Sequence, residues 1–369
     1  MEASPYSQLV ETASRLADVE LLESVDHENV DEAIKLLERI RPILDSTRNI
    51  ELPKCCVPVR YEADFFAHHI DDFQNLRPLA QAFRLASDVA AFHSDYEAVA
   101  RYGIAILDVA NAVRRGGLIV DHLVAVALAG VGVEGLRSVR EHFSDDTRRE
   151  LIKALLRCES EREPFVEIAA RDAKWEAESG CEENGSEISE DELIDPDSEL
   201  PVEDQRALIR IIKEMAHQPE SDKQAMYDQH ERHDLANTRL LMVDLALRCW
   251  NHHNGRYPKS LAELSPEILI DIPHDPFTDR DFIYRLSQTT FVLYSTGPDQ
   301  ADCGGNFGPR YAIFCGGFDL SLDSGDYSSR CCSIPTVPGL ARRIWSRFRF
   351  WRREPARPLF CRAPLTRMK

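Results

Sequence analysis

One stretch constrains this chain more than any other: NHHNGRYPKSLAEL, residues 251–264. It ends one helix, bends and begins another. Upstream, Ala236, Leu240, Val243, Leu247 and Trp250 recur at spacings of four and three. That period predicts a helix from about Asp234 to His253 with a single apolar stripe. Gly255 then supplies the left-handed residue on which helices commonly stop. Tyr257-Pro258 forces an extended pair, because the proline ring crowds the residue before it. Ser260 caps a short return helix, with Glu263 three residues on as a capping box requires, and that helix ends near Pro266. His252 and His253 complement the dipole of the helix end and need no other role.

Strand patterns follow. Pro273-His274-Asp275-Pro276-Phe277 is turn chemistry. Phe282, Tyr284 and Leu286 alternate with Ile283 and Arg285; Phe291, Leu293 and Ser295 alternate with Val292 and Tyr294. With the turn Ser287-Gln288-Thr289 between them, these runs predict a hairpin packed on the long helix. A loop of turn formers and aspartates, Ser295 to Gly305, comes next. Tyr311, Ile313 and Cys315 suggest a third strand.

This order of motifs resembles the globular domain of type II secretion major pseudopilins: long helix, GRYP, short helix, DPF, hairpin, then Tyr-Ser-x-Gly-x-Asp and Gly-Gly. The match covers roughly residues 234–320. The helical half, with its GGLIVDHLVAVALAGVGVEGL segment, is similar to the region preceding such a module in large uncharacterised bacterial proteins. The resemblance implies a calcium site in the loop after the hairpin, built from aspartates and backbone carbonyls. Asp299 matches the aspartate of the motif, Asp302 falls in the same loop, and Asp319 matches a later aspartate at a longer spacing. Cys303 stands where related modules often carry a further acid. Calcium takes six to eight oxygen ligands, so a lost carboxylate weakens the site, and a plain Asp/Gly turn is the alternative. A true pseudopilin polymerises through a hydrophobic N-terminal helix behind a leader. Here Asp244 and Arg248 interrupt the stripe, so assembly into a pseudopilus does not follow from the resemblance.

The preceding residues read as an α-rich domain, 1–173. Leu9, Ala13, Leu16 and Val19/Glu20 begin one stripe; Ile34, Leu37, Ile40 and Leu44 make another. Leu79, Phe83, Ala86 and Ala90 form a third face; Val99, Tyr102, Ile106 and Val109 form a fourth, ending at Arg114-Arg115-Gly116-Gly117. Helices paired in this way suggest a bundle or a solenoid-like stack. The apolar run Leu123–Val133 is too short to span a bilayer and reads as a buried helix; extending it to Leu118 brings in Asp121 and His122. Residues 174–204 read as an acidic linker, with 13 acids and no Lys or Arg between Glu176 and Asp204. A helical extension occupies 205–233, the α+β module 234–320, and a basic, aromatic, disordered tail 321–369. The N-terminus carries no signal-peptide pattern, so the chain as written is expected in the cytoplasm, or at a membrane or envelope if its start lies upstream.

Net charge is −19, which argues against duplex nucleic acid as a partner. None of the ten cysteines forms a Cys-x-x-Cys pair, so zinc-ribbon and thioredoxin-type sites have no support. Gly130-Val-Gly132-Val-Glu-Gly135 fits a dinucleotide fingerprint, yet its surroundings are helical; glycines that let two helices approach are the better reading. His230-Glu-Arg-His233-Asp234 and His68-His69-Ile-Asp71-Asp72 have metal-like spacings, with a solvated polar face as the alternative. No nucleophile elbow or phosphate loop occurs. In the tail, Ile344, Trp345, Phe348 and Trp351 share a helical face among arginines. That pattern suits an anionic membrane surface; single-stranded nucleic acid, or the acidic segment of the same chain, are the other candidates. The expectation is a non-catalytic assembly or interaction protein with a protein partner. The competing expectations are a metal-dependent enzyme using histidines of the helical half, and a peripheral membrane protein anchored by its tail.

Overall fold

The computed structural model describes residues 3–16, 30–62, 64–179, 220–287, 290–307 and 318–323. The described residues are mostly helical, with one small antiparallel sheet. Among the described residues seven helices come first: α1 (Pro5–Ser14), α2 (Val30–Thr47), α3 (Phe65–Phe92), α4 (Tyr96–Arg114), α5 (Ile119–Ser138), α6 (Asp145–Ser160) and α7 (Phe165–Glu178). After them come α8 (Glu220–Asn254), a turn of 3-10 helix at Leu261–Leu264, and strands β1 (Ile283–Leu286) and β2 (Phe291–Tyr294). The strands pair in register Ile283 to Tyr294 and Leu286 to Phe291.

The apolar periods of the helical half meet as expected. Leu9, Ala13, Leu16, Leu37, Ile40, Leu44, Leu79, Phe83, Ile106 and Val109 are all buried. Each aliphatic side chain of that kind contributes about 1.5–3 kcal/mol. Val19 and Glu20 lie outside the described residues. The Gly130–Gly135 run sits inside α5, with no strand before it. A Cβ on Gly132 would lie 3.2 Å from the Gly103 carbonyl of α4, so this glycine sets how closely the two helices approach. The stretch 119–138 is, among the described residues, the one helix long and apolar enough to cross a membrane. Here Ala125, Leu128, Ala129, Val133 and Leu136 are in the core, and so are Asp121 and His122.

Three expectations are corrected. The acidic linker does not begin at residue 174: α7 continues to Glu178, because buried Trp175 packs with Phe65 and Leu118 and donates its indole N–H to the Arg60 carbonyl at 2.9 Å. The rest of the linker lies outside the described residues. The long helix begins at Glu220, not near Asp234. Before Asp234 it carries no apolar period, and Asp228–Arg232 and Glu231–Arg162 ion pairs occupy that stretch. Nor does α8 have a single stripe: Leu240, Leu241, Met242, Val243, Leu245, Ala246, Leu247 and Cys249 are all fully buried. α5 and α6 pack on this segment, as do β2 and the Leu261–Leu264 turn. The polar positions that implied an outer face are neutralised instead of exposed. Buried Asp244 accepts from Arg248 Nε at 2.6 Å and lies 3.4 Å from Arg140 Nε. One apolar core therefore runs from Tyr6 in α1 to Leu293 in β2 and Leu322.

Candidate functional site

The helix stop forms as its residues dictate. Gly255 has φ +66° and donates to the Asn251 carbonyl at 2.9 Å. The Glu263 carboxylate accepts from the N–H groups of Lys259 and Ser260, at 2.6 and 3.3 Å. The Tyr284 hydroxyl of β1 donates to the Pro258 carbonyl at 2.8 Å, and Tyr257 packs edge-on against Phe291 at 4.8 Å. The Tyr-Pro bend is thereby fastened to the hairpin.

Asp275 does the corresponding work for the Asp-Pro-Phe turn. It is buried, and its two oxygens accept from Phe277 N–H at 3.0 Å and Thr296 N–H at 3.2 Å. The turn is thus tied to the start of the 295–305 loop. Two arginines of α8 hold its backbone: Arg239 Nη1 donates to the His274 carbonyl at 2.7 Å and Arg232 Nη1 to that of Pro276 at 3.1 Å.

The loop is braced in the same manner. Ser295 and Leu320 exchange both backbone hydrogen bonds at 2.8 Å, which lays residues 318–320 beside the end of β2. Buried Asp319 accepts from Cys303 N–H at 3.1 Å and Gly305 N–H at 2.7 Å. Asp302 accepts from the Tyr294 hydroxyl and Gly304 N–H, both at 2.8 Å, and from Arg285 Nη2 at 2.7 Å. The Tyr294 and Gly304 bonds hold its carboxyl below the usual range. Burial, then the hydrogen bond to Asp302, pushes the Tyr294 phenol up to about 12. Asp299 is exposed at the tip and accepts from Ala301 N–H at 3.0 Å. Tyr311, Ile313 and Cys315 lie outside the described residues.

Asp302 and Asp319 spend both carboxylate oxygens on protein donors, and no group of three His, Cys, Asp or Glu among the described residues is placed to hold a metal. The membrane-contact candidates Ile344, Trp345, Phe348 and Trp351 lie outside the described residues.

The two histidine motifs of the helical half become two buried charge clusters. In α3, His69 is sandwiched between carboxylates: Nε2 lies 2.8 Å from Asp121 Oδ1 and Nδ1 lies 3.1 Å from Asp72 Oδ2. Burial opposes the charge, but these two hydrogen bonds win and raise His69 to about 9. Asp121 also accepts from Leu118 N–H at 2.7 Å, capping α5. In α8, Glu231 and Asp234 receive Arg162 at 2.8 and 2.7 Å, and Arg114 Nη2 lies 3.4 Å from Asp234. His122, fully buried, stands beside them, and burial followed by the Arg114 charge lowers it to about 3. Sequence periodicity missed Arg114, Arg162 and the inward roles of Asp121 and His122. The available signal was polarity in the wrong place: Asp121-His122 interrupt an apolar helix, and Arg114 sits on the last turn of another.

Compared with family models, curated proteins and solved structures, the chain finds no match.

Proposed function

We propose that this chain is a non-catalytic assembly or interaction protein whose α+β unit is pseudopilin-like and whose 295–305 loop contacts a protein partner. One observation carries the reading: the loop is fastened at its base by Asp275 and along its length by Asp302 and Asp319, while Asp299, Gln300 and Ala301 at its tip stay exposed. Loops held in this way on a packed scaffold are common recognition elements, because little ordering entropy is left to lose on binding. Two of the helical histidines count against a metal site. His69 and His122 are buried within the protein's own charge clusters, so neither offers a ligand to solvent.

A photo-crosslinking residue placed at Gln300 of the full chain tests the proposal in native cells, with exposed Val166 of α7 as the control position. The expected result is a discrete protein adduct from 300 and none from 166. Equal labelling from both positions, or none from 300, removes the loop as the contact. Stoichiometric zinc, iron or manganese in protein purified without added metal would instead favour the enzyme.

A further inference from the structure

The junction between α8 and the helical half contains polar atoms that direct contacts do not satisfy. Arg114, the last residue of α4, is buried, and neither its Nε nor its Nη1 has a hydrogen-bond partner. The same holds for both ring nitrogens of His122 on α5 and for Oε2 of Glu231 on α8. Glu231 Oε2 stands near one atom of each of the other two residues. Glu231 Oε2 lies 3.5 Å from His122 Nε2 and 3.9 Å from Arg114 Nη1. Such separations are too long for good direct hydrogen bonds, yet short enough for one water to bridge each pair.

We propose that a single internal water binds here, hydrogen-bonded to Arg114 Nη1, Glu231 Oε2 and His122 Nε2. The mixture of signs selects the ligand. An anion would face the Glu231 carboxylate, and a cation would face the Arg114 guanidinium. The species must accept from an N–H and donate to a carboxylate, and water does both. His122 is neutral, so its Nε2 serves as acceptor or donor according to tautomer. Three polar partners are the usual complement for a buried water. The water supplies the partners that buried polar groups require and turns the contact between α4, α5 and α8 into a hydrated seam.

The test is a crystal structure of the full chain at a resolution that orders internal water. One water-strength peak within hydrogen-bonding distance of all three atoms is the expected result. The proposal is overturned by Arg114 Nη1 closing directly onto Glu231 Oε2, by a halide-strength peak, or by no peak with the separations kept. In solution, oxygen-17 relaxation dispersion should show one long-lived water fewer in His122→Leu than in the unaltered chain. An unchanged count in a folded variant would also overturn it.

Discussion

His68-His69-Ile-Asp71-Asp72 and His230-Glu-Arg-His233-Asp234 share a sequence grammar, histidine followed within a helical turn by carboxylate, but the fold puts them to opposite uses. Around His69 the neighbours are acids, Asp72 from its own helix and Asp121 from α5, and the imidazole is held as a cation. Around Glu231 and Asp234 the neighbours are arginines from α4 and the α6–α7 connection, and the histidine beside them, His122, stays neutral. Asp72 is local to His69, but Asp121 in one cluster and Arg114 and Arg162 in the other come from far away in sequence. Local spacing cannot supply them.

The largest effect should come from breaking the arginine cluster. Asp234→Ala leaves Arg114 and Arg162 buried with Glu231 as their remaining carboxylate, and should cost about 3–5 kcal/mol in denaturant unfolding. A cost below about 1 kcal/mol would mean that these guanidinium groups reach water, and the contrast between the two clusters would collapse.

The acid-flanked cluster should show itself through pH. His69 titrates near 6.5 when unfolded and near 9 in the fold, so its contribution is fully present below about 6.5 and is lost as pH rises through about 9. At 1.36 kcal/mol per pKa unit the swing is on the order of 3 kcal/mol. His69→Leu should abolish that slope between pH 6.5 and 9. A slope that persists in the variant assigns it to other groups.

A smaller effect separates the base of the loop from its tip. Asp275→Ala strands two buried N–H groups and should cost about 2–3 kcal/mol, whereas Asp299→Ala at the exposed tip should stay within about 0.5 kcal/mol. Thermal unfolding of both, with calcium and with chelator, sharpens the point. A calcium response lost in Asp299→Ala alone would turn the loop back into a metal site.

The smallest effect concerns another pair that sequence alone cannot separate. Nothing lies within 4 Å of a Cβ built on Gly130, so Gly130→Ala should stabilise the chain by about 0.5–1 kcal/mol. Gly132→Ala, against the Gly103 carbonyl, should destabilise it. Equal effects would show that close approach of α4 and α5 is not what these glycines serve.

Much of the fold was legible because it is written locally. The period at Leu79–Ala90, the stop at Gly255 and the two strand runs of the hairpin each specify structure within a few residues, but the expected alternation of faces fails, with Leu286 exposed and Tyr294 buried. The continuity of α8 through residues 224–233 was not legible, because Glu231 there takes its partner Arg162 from far away along the chain. The all-round burial of Leu240–Leu247 was hidden by Asp244 and Arg248, which mimic a solvent face while neutralising each other inside. In the loop, Asp299 and Asp302 were visible as motif residues. Asp275, which ties the loop to the turn, looked like ordinary turn chemistry.

The complete burial of the α8 midsection has a consequence for how the protein is made. The surfaces of α5 and α6 that cover it emerge from the ribosome first, followed by residues 180–219 and only then by α8. At about 5–20 residues per second, those helices wait several seconds with an apolar face uncovered. A chain stopped before residue 240 keeps that face open for good. Early termination should therefore yield an aggregation-prone, chaperone-dependent product, not a smaller folded protein.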